Sequence, residues 1–226
     1  MKEVCDLYHH AQELAQQSTH LVSCDEMTGI QATERKAPTK PMRPGIIERQ
    51  EFEYIRHGTL SLIANFEVAT GLVFYPSLAP TRTEVDFAAH IQTTIDSDSH
   101  GEWIFIVDQL NTHKSESLVR LVAKQCGIEG DLGEKGRRGI LKSMGSRSEF
   151  LKDKTHRIRF VYLPKHTSWL NQVEIWFSIL VRRLLKRASF GSVQELHQRI
   201  LSFISYFNQT MAKPFKWTYK GRPLTV

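Results

Sequence analysis

Three acidic residues, Asp25, Asp108 and Glu174, stand where two strand ends and one helix face would bring them to a single rim of a sheet. A carboxylate trio of that kind suits phosphodiester chemistry. Two hard cations roughly 3.5–4 Å apart activate the attacking oxygen and stabilise the leaving one. Magnesium prefers oxygen ligands and retains waters, so a few carboxylates suffice, with one aspartate bridging both ions. Without a cation the three groups repel, and one takes up a proton. Spacing alone is a weak signal, because Asp25 and Asp108 as turn residues and Glu174 paired with an arginine would produce the same pattern. Glu26 competes with Asp25; on a strand the two face opposite sides, so only one of them faces the cations.

The helix that carries Glu174 is more informative. With Leu170 as origin and roughly 100° per residue, Val173, Phe177, Leu180, Val181, Leu184 and Leu185 form one apolar stripe. Glu174 falls at about 40°, on the edge of that stripe. A carboxylate there is costly unless it is paired or bound to a metal. Arg182, Arg183, Lys186 and Arg187 lie on the other side and, with Lys165, form a candidate phosphate-holding set. A solvated basic face is the alternative reading of the four helix charges. Trp169 and Trp176 fit a core or interface better than stacking on an unpaired base.

The elements that would position these groups follow from periodicity. Residues 2–17 predict one helix, with Val4, Leu7, Tyr8, Ala11, Leu14 and Ala15 inward. His20 to Cys24 is a short extended run that ends at Asp25, and the proline-rich residues 35–51 are a loop. Thr59 to Thr70 and the LVFYP segment predict a hairpin about Gly71. Thr83 to Ile95 is helical, with Val85, Ala88, Ala89 and Ile95 inward. Trp103 to Val107 is an unbroken apolar run, which suits a strand covered on both faces. Ser115 to Cys126 is a further helix. Six of the 13 glycines fall within 127–147, which predicts a mobile insertion or an irregular hairpin. Arg157 to Leu163 is a strand, and helices follow at 169–187 and 192–208. The order predicts an α/β layered domain with a mixed sheet.

Charge is divided unevenly. Residues 152–226 carry 14 Lys and Arg against 3 Asp and Glu, whereas residues 1–151 carry 16 against 21. A basic half joined to an acidic half points to a polyanion partner. No apolar run reaches the ~20 residues of a membrane span, and the first residues lack the apolar stretch of a signal peptide. The three cysteines (Cys5, Cys24 and Cys126) form no CxxC pair, which gives neither a disulfide framework nor a zinc site. The expected setting is reducing and intracellular.

Four segments carry a family resemblance: SCDEMTGIQA (23–32), EYIRHGTLSLIANFEVATG (53–71), IVDQLNTHKS (106–115) and YLPKHTSWLNQVEIWF (162–177). Together they resemble a DDE transposase of the bacterial insertion-sequence branch related to mariner elements, from about Glu3 to Pro223. The tail NQTMAKPFKWT (208–218) is similar to the family's C-terminal end. The resemblance implies an RNase H-like fold, a mixed five-stranded sheet flanked by helices. Asp25 and Asp108 match the two catalytic aspartates and Glu174 the final acidic residue. All three would be metal ligands, for Mg2+ or alternatively Mn2+. Gln109 stands where the family usually has asparagine. His113 keeps the family's histidine, with an orienting or DNA-contacting role set against plain structural support.

The resemblance also implies double-stranded DNA partners (transposon ends and target), a homodimer on paired ends, a TA target and a bacterial cytoplasmic, nucleoid-associated setting with no membrane. It divides the chain into a linker helix at 1–19 and a catalytic domain at 20–226, with a glycine-rich insertion at about 127–157. That insertion lengthens the Asp108-to-Glu174 spacing to 66 residues. The helix-turn-helix modules that usually precede such a domain are not in this sequence, so a truncated copy or the second half of a split reading frame is expected. The alternative function is an inactive remnant that binds DNA or oligomerises without catalysis. A third reading is an RNA–DNA hybrid nuclease of the same fold, against which the W-L-N-x-V-E-x-W-F block argues.

Overall fold

The computed structural model describes residues 1–221. In chain order, helices α1 (Lys2–His9) and α2 (Ala11–Gln16) lead into strands β1 (Thr19–Arg35), β2 (Tyr54–Glu67) and β3 (Val73–Ala79), then helix α3 (Glu84–Ile95). Strand β4 (Glu102–Val107) and helix α4 (Glu116–Gln125) follow, then the short strands β5 (Gly133–Glu134) and β6 (Arg138–Gly139) and helix α5 (Met144–Leu151). The chain closes with β7 (Ile158–Tyr162), α6 (Gln172–Leu180) and α7 (Val193–Thr210). The main sheet has five strands in the order β3-β2-β1-β4-β7. The two pairings among β1, β2 and β3 are antiparallel, and β1–β4 and β4–β7 are parallel. The expected mixed five-stranded sheet is therefore present.

Alternation along β1 and β2 decides what each face receives. Leu21 of β1 and Leu62, Ala64 and Phe66 of β2 share the face covered by α1, α6 and α7. Val22, Cys24 and Ile63 share the opposite face, under α3, α4 and α5. β4 is buried from Trp103 to Val107, as its unbroken apolar run predicts. Each large side chain sealed in this way contributes about 1.5–3 kcal/mol. α4 is held at its start by Ser115, whose hydroxyl accepts from the Leu118 N–H at 3.2 Å, a cap worth about 1 kcal/mol. No helix among the described residues is long and apolar enough to cross a membrane.

Several expectations need correction. The single helix over 2–17 breaks at His10 into α1 and α2. The short run at 20–24 is only the start of β1, which continues on β2 as a two-stranded arm to Arg35. α3 turns Phe87, His90, Ile91, Thr94 and Ile95 inward, whereas Val85 and Ala89 face solvent and Ala88 is half-buried. The glycine-rich stretch does contain a hairpin, β5–β6, but it ends in a helix, α5, that packs Leu151 into the core. The helix expected at 169–187 is a 3-10 turn, then α6, then a π turn at Val181–Leu185. The wider π turn takes Val181 off the apolar stripe and leaves it exposed. The last residues of the family resemblance, 222–223, lie outside the described residues.

Candidate active site

Asp25 and Asp108 are brought together by parallel register. β1 pairs with β4 from Thr19 with Glu102 to Ser23 with Ile106. Continued two residues beyond its last pair, that register aligns Asp25 with Asp108, whose charge reaches the Asp25 carboxyl. Asp25 is thus not at the end of its strand. It stands where β1 loses β4 as a neighbour and continues on β2 alone. Asp108 follows the last residue of β4, and its Oδ1 accepts from the Leu110 N–H at 2.8 Å.

Glu174 arrives on the first turn of α6, half-buried. That helix is tied to β1 by a closed set of buried hydrogen bonds. Asn171 donates from Nδ2 to Asp25 Oδ2 at 3.0 Å and to the Cys24 carbonyl at 3.2 Å. The Ser23 hydroxyl donates to Asn171 Oδ1 and accepts from the Val173 N–H, the latter at 2.9 Å.

Asp108 is supported from the other side of the sheet. His113 is completely buried. Its Nδ1 lies 2.8 Å from Asp108 Oδ1 and its Nε2 lies 3.2 Å from Glu26 Oε2. Both contacts are ion pairs set off the ideal hydrogen-bond angle. Arg82 Nη1 stands 3.6 Å from the same Glu26 oxygen. The buried His113 touches carboxylates rather than any surface that DNA reaches, so the DNA-contacting role weighed for it does not match its position. Glu26, the rival of Asp25, faces His113, while Asp25 faces Asn171.

Charges in this cluster are strongly coupled. Burial pushes the Asp25 carboxyl up to about 7, and the Asp108 charge adds to the rise. Burial and then Asp108 also raise Glu174. Burial opposes the charged forms of Asp108 and His113, yet their mutual contact outweighs it. With Glu26 contributing, His113 is held at about 9, and Asp108 sits below the usual carboxylate range.

Among the described residues, Asp25, Glu26 and His113 bring possible metal-ligand atoms within 4.8 Å of one another. His113 is a poor ligand there, because both its nitrogens face carboxylates and the ring is held protonated. The oxygen donors of Asp25, Asp108 and Glu174 fit a hard divalent cation, since each raises or feels the charge of another and a cation would relieve that repulsion.

Lys165, Arg182, Arg183, Lys186 and Arg187 are all exposed. Arg182, Lys186 and Arg187 line one side of a groove of about 680 Å³, with Thr39, Glu48 and Gln50 of the arm's loop on the other. Trp176 is fully buried, which removes it as a stacking candidate, whereas Trp169 is 53% exposed and meets Tyr219 edge to face. Asn171, Ser23 and Arg82 were not legible as site residues. An asparagine three positions before Glu174 reads as an ordinary helix cap, and only the fold shows that its side chain turns to Asp25 instead.

Residues 20–197 match the DDE superfamily endonuclease family. Among solved structures, the Mos1 mariner paired-end complex with Mn is 11% identical with a TM-score of 0.54, over 90% of this chain and 53% of that one. A pre-cleavage Mos1 transpososome gives 11% and 0.54, over 90% and 54%. The catalytic domain of Mos1 mariner transposase gives 9% and 0.51, over 90% and 78%. The chain spans about half the length of the Mos1 chains in the first two. No curated protein matches it. At these identities the likeness is one of fold, and the sheet with its flanking helices is the RNase H-like DDE fold. With the match running from β1 into α7, the chain belongs to the DDE superfamily endonuclease family.

Proposed function

We propose that this chain is a transposase catalytic domain that nicks DNA and transfers the freed strand, with Asp25, Asp108 and Glu174 as its metal ligands. The observation that carries the reading is that the three carboxyls share one charged cluster: Asp25, raised first by burial, feels both Asp108 and Glu174, and Glu174 on α6 is raised by burial and then by Asp108. Mg2+ or Mn2+ held by these carboxylates supplies the charge that activates the attacking oxygen and stabilises the leaving one.

In nicking, a water oxygen joins phosphorus and a 3′-oxygen leaves as the free hydroxyl. In transfer, that 3′-hydroxyl attacks a target phosphorus in line and displaces the target's own 3′-oxygen. One phosphodiester is exchanged for another, so no energy source is needed. The chain's task is positioning and charge neutralisation. His113 holds Asp108 in its orientation from behind, and Lys165, Arg182, Arg183, Lys186 and Arg187 meet phosphates without reading sequence.

Double-stranded DNA is the partner on this reading, as transposon ends and as target, bound by a homodimer that pairs the ends. The names of the similar structures, a paired-end complex and a transpososome, support DNA ends as the substrate. Asp108→Asn, assayed on supercoiled plasmid with Mg2+ and a supplied end-recognition domain, is expected to lose nicking by about 10²–10³-fold or more. Its DNA affinity should stay equal or rise, because one negative charge is removed. Undiminished nicking by the variant would overturn the proposal and favour a DNA-binding or assembly remnant.

A further inference from the structure

We infer that Asn171 is a positioning residue: it holds Asp25 in place and, through Ser23, fixes where α6 delivers Glu174. The inference rests on the cation-binding role proposed for those two carboxylates.

The hydrogen-bond pattern admits one orientation of the Asn171 amide. A backbone carbonyl only accepts, so the group 3.2 Å from the Cys24 oxygen is Nδ2, and the same nitrogen reaches Asp25 Oδ2 at 3.0 Å. Oδ1 then takes the Ser23 hydroxyl proton. The Ser23 oxygen keeps a lone pair for the Val173 N–H at 2.9 Å. Ser23 and Asn171 are both completely buried, and these two side chains are satisfied only by each other and by the two elements they join.

The arrangement departs from an ordinary helix start. Asn171 is the N-cap of α6 and would normally bond the first-turn N–H groups with its own side chain. Its side chain makes no such bond. Ser23, on β1, caps the helix in its place. One asparagine thereby orients the first aspartate, while the strand that bears that aspartate anchors the helix that bears the glutamate. Glu174 lies one turn along, its N–H bonded to the Asn171 carbonyl at 3.0 Å. The Asp25-to-Glu174 geometry is set by this lock rather than by the loop before it.

The test uses the full chain, stripped of metal, as wild type, Asn171→Ala, Asp25→Asn, the double variant and Ser23→Ala. Mn2+ binding is read by calorimetry and folding by urea unfolding. Asn171→Ala is expected to weaken Mn2+ binding by about 10–100-fold and Ser23→Ala by several-fold, whereas Asn171→Ala adds nothing further once Asp25 is Asn. In unfolding, the Asn171 and Asp25 substitutions should depart from independence by about tenfold in the folding constant. Wild-type Mn2+ affinity in Asn171→Ala, or an equal loss in both backgrounds, overturns the lock. If the wild type takes up no Mn2+, the proposed function fails instead, and the unfolding cycle decides the lock alone: independent effects overturn it. Should Asn171→Ala not fold, Ser23→Ala takes its place in both measurements.

Discussion

His113 and His90 are both sealed from solvent, yet they carry opposite electrostatics. His90 lies between α3 and β3, with Nδ1 2.8 Å from the Ser77 hydroxyl and Nε2 without a partner among the described residues. Burial drops its pKa to about 3, so it is neutral. His113 is buried as completely, but Asp108 and Glu26 hold it at about 9, so it is a cation. Burial alone yields the first result. The second requires carboxylates to be brought together at a cost, and such an array is weak support for stability. On the proposed function it serves the aspartate it contacts, in keeping with the gathering of strongly perturbed groups at functional sites.

The largest break in this comparison comes from removing the buried cation. His113→Gln leaves Glu26 with Arg82 at 3.6 Å as its remaining cation. Stability should fall by about 3–5 kcal/mol, read by urea unfolding, and metal affinity by about 10–100-fold. Preserved metal affinity would show that His113 is only a packing residue.

The two histidines also predict opposite limbs of a pH–stability curve in EDTA. The folded pKa of His113 is raised from 6.5, so its contribution is full below about 6.5 and is lost as pH rises through about 9. The folded pKa of His90 is depressed from 6.5, so its contribution is present above 6.5 and is lost as pH falls towards about 3. His90→Leu should flatten the acid limb and leave the alkaline one. An unchanged acid limb would mean that His90 is protonated in the folded chain. The smallest effect is expected of Ser77→Ala, which removes the hydroxyl beside His90 and should lower stability by about 1 kcal/mol at neutral pH, with no change in metal binding.

The same two histidines show what the sequence made legible. His113 stood out through its spacing from Asp108 within a recognisable block, whereas His90 and Thr94 point inward on a helix face that a hydrophobic wheel assigns to Val85, Ala88 and Ala89. The apolar signal on the true face is Phe87, Ile91 and Ile95, but it is interrupted by this polar pair, with Thr94 accepting the Asn65 amide at 2.7 Å. The α/β order was readable because apolar runs and the helix stripe are local patterns. The reach of β1 was not. The extended run reads as ending at Asp25, but the strand continues, and Gly29, at φ +67°, only marks a shift of register before pairing resumes at Ile30 with Leu60. That pairing depends on β2, beyond a proline-rich loop. α5 was hidden because Gly145, Ser146 and Ser148 are weak helix formers in a glycine-rich stretch, although Ser143 and Ser146 cap each other across the first turn.

The most direct test of the account is calorimetric titration of Mg2+ into the metal-free wild type and into Asp108→Asn. Binding by the wild type and its loss in the variant would establish that Asp108 helps to form a cation site, as the proposed carboxylate cluster requires. Equal binding by both would contradict the carboxylate site.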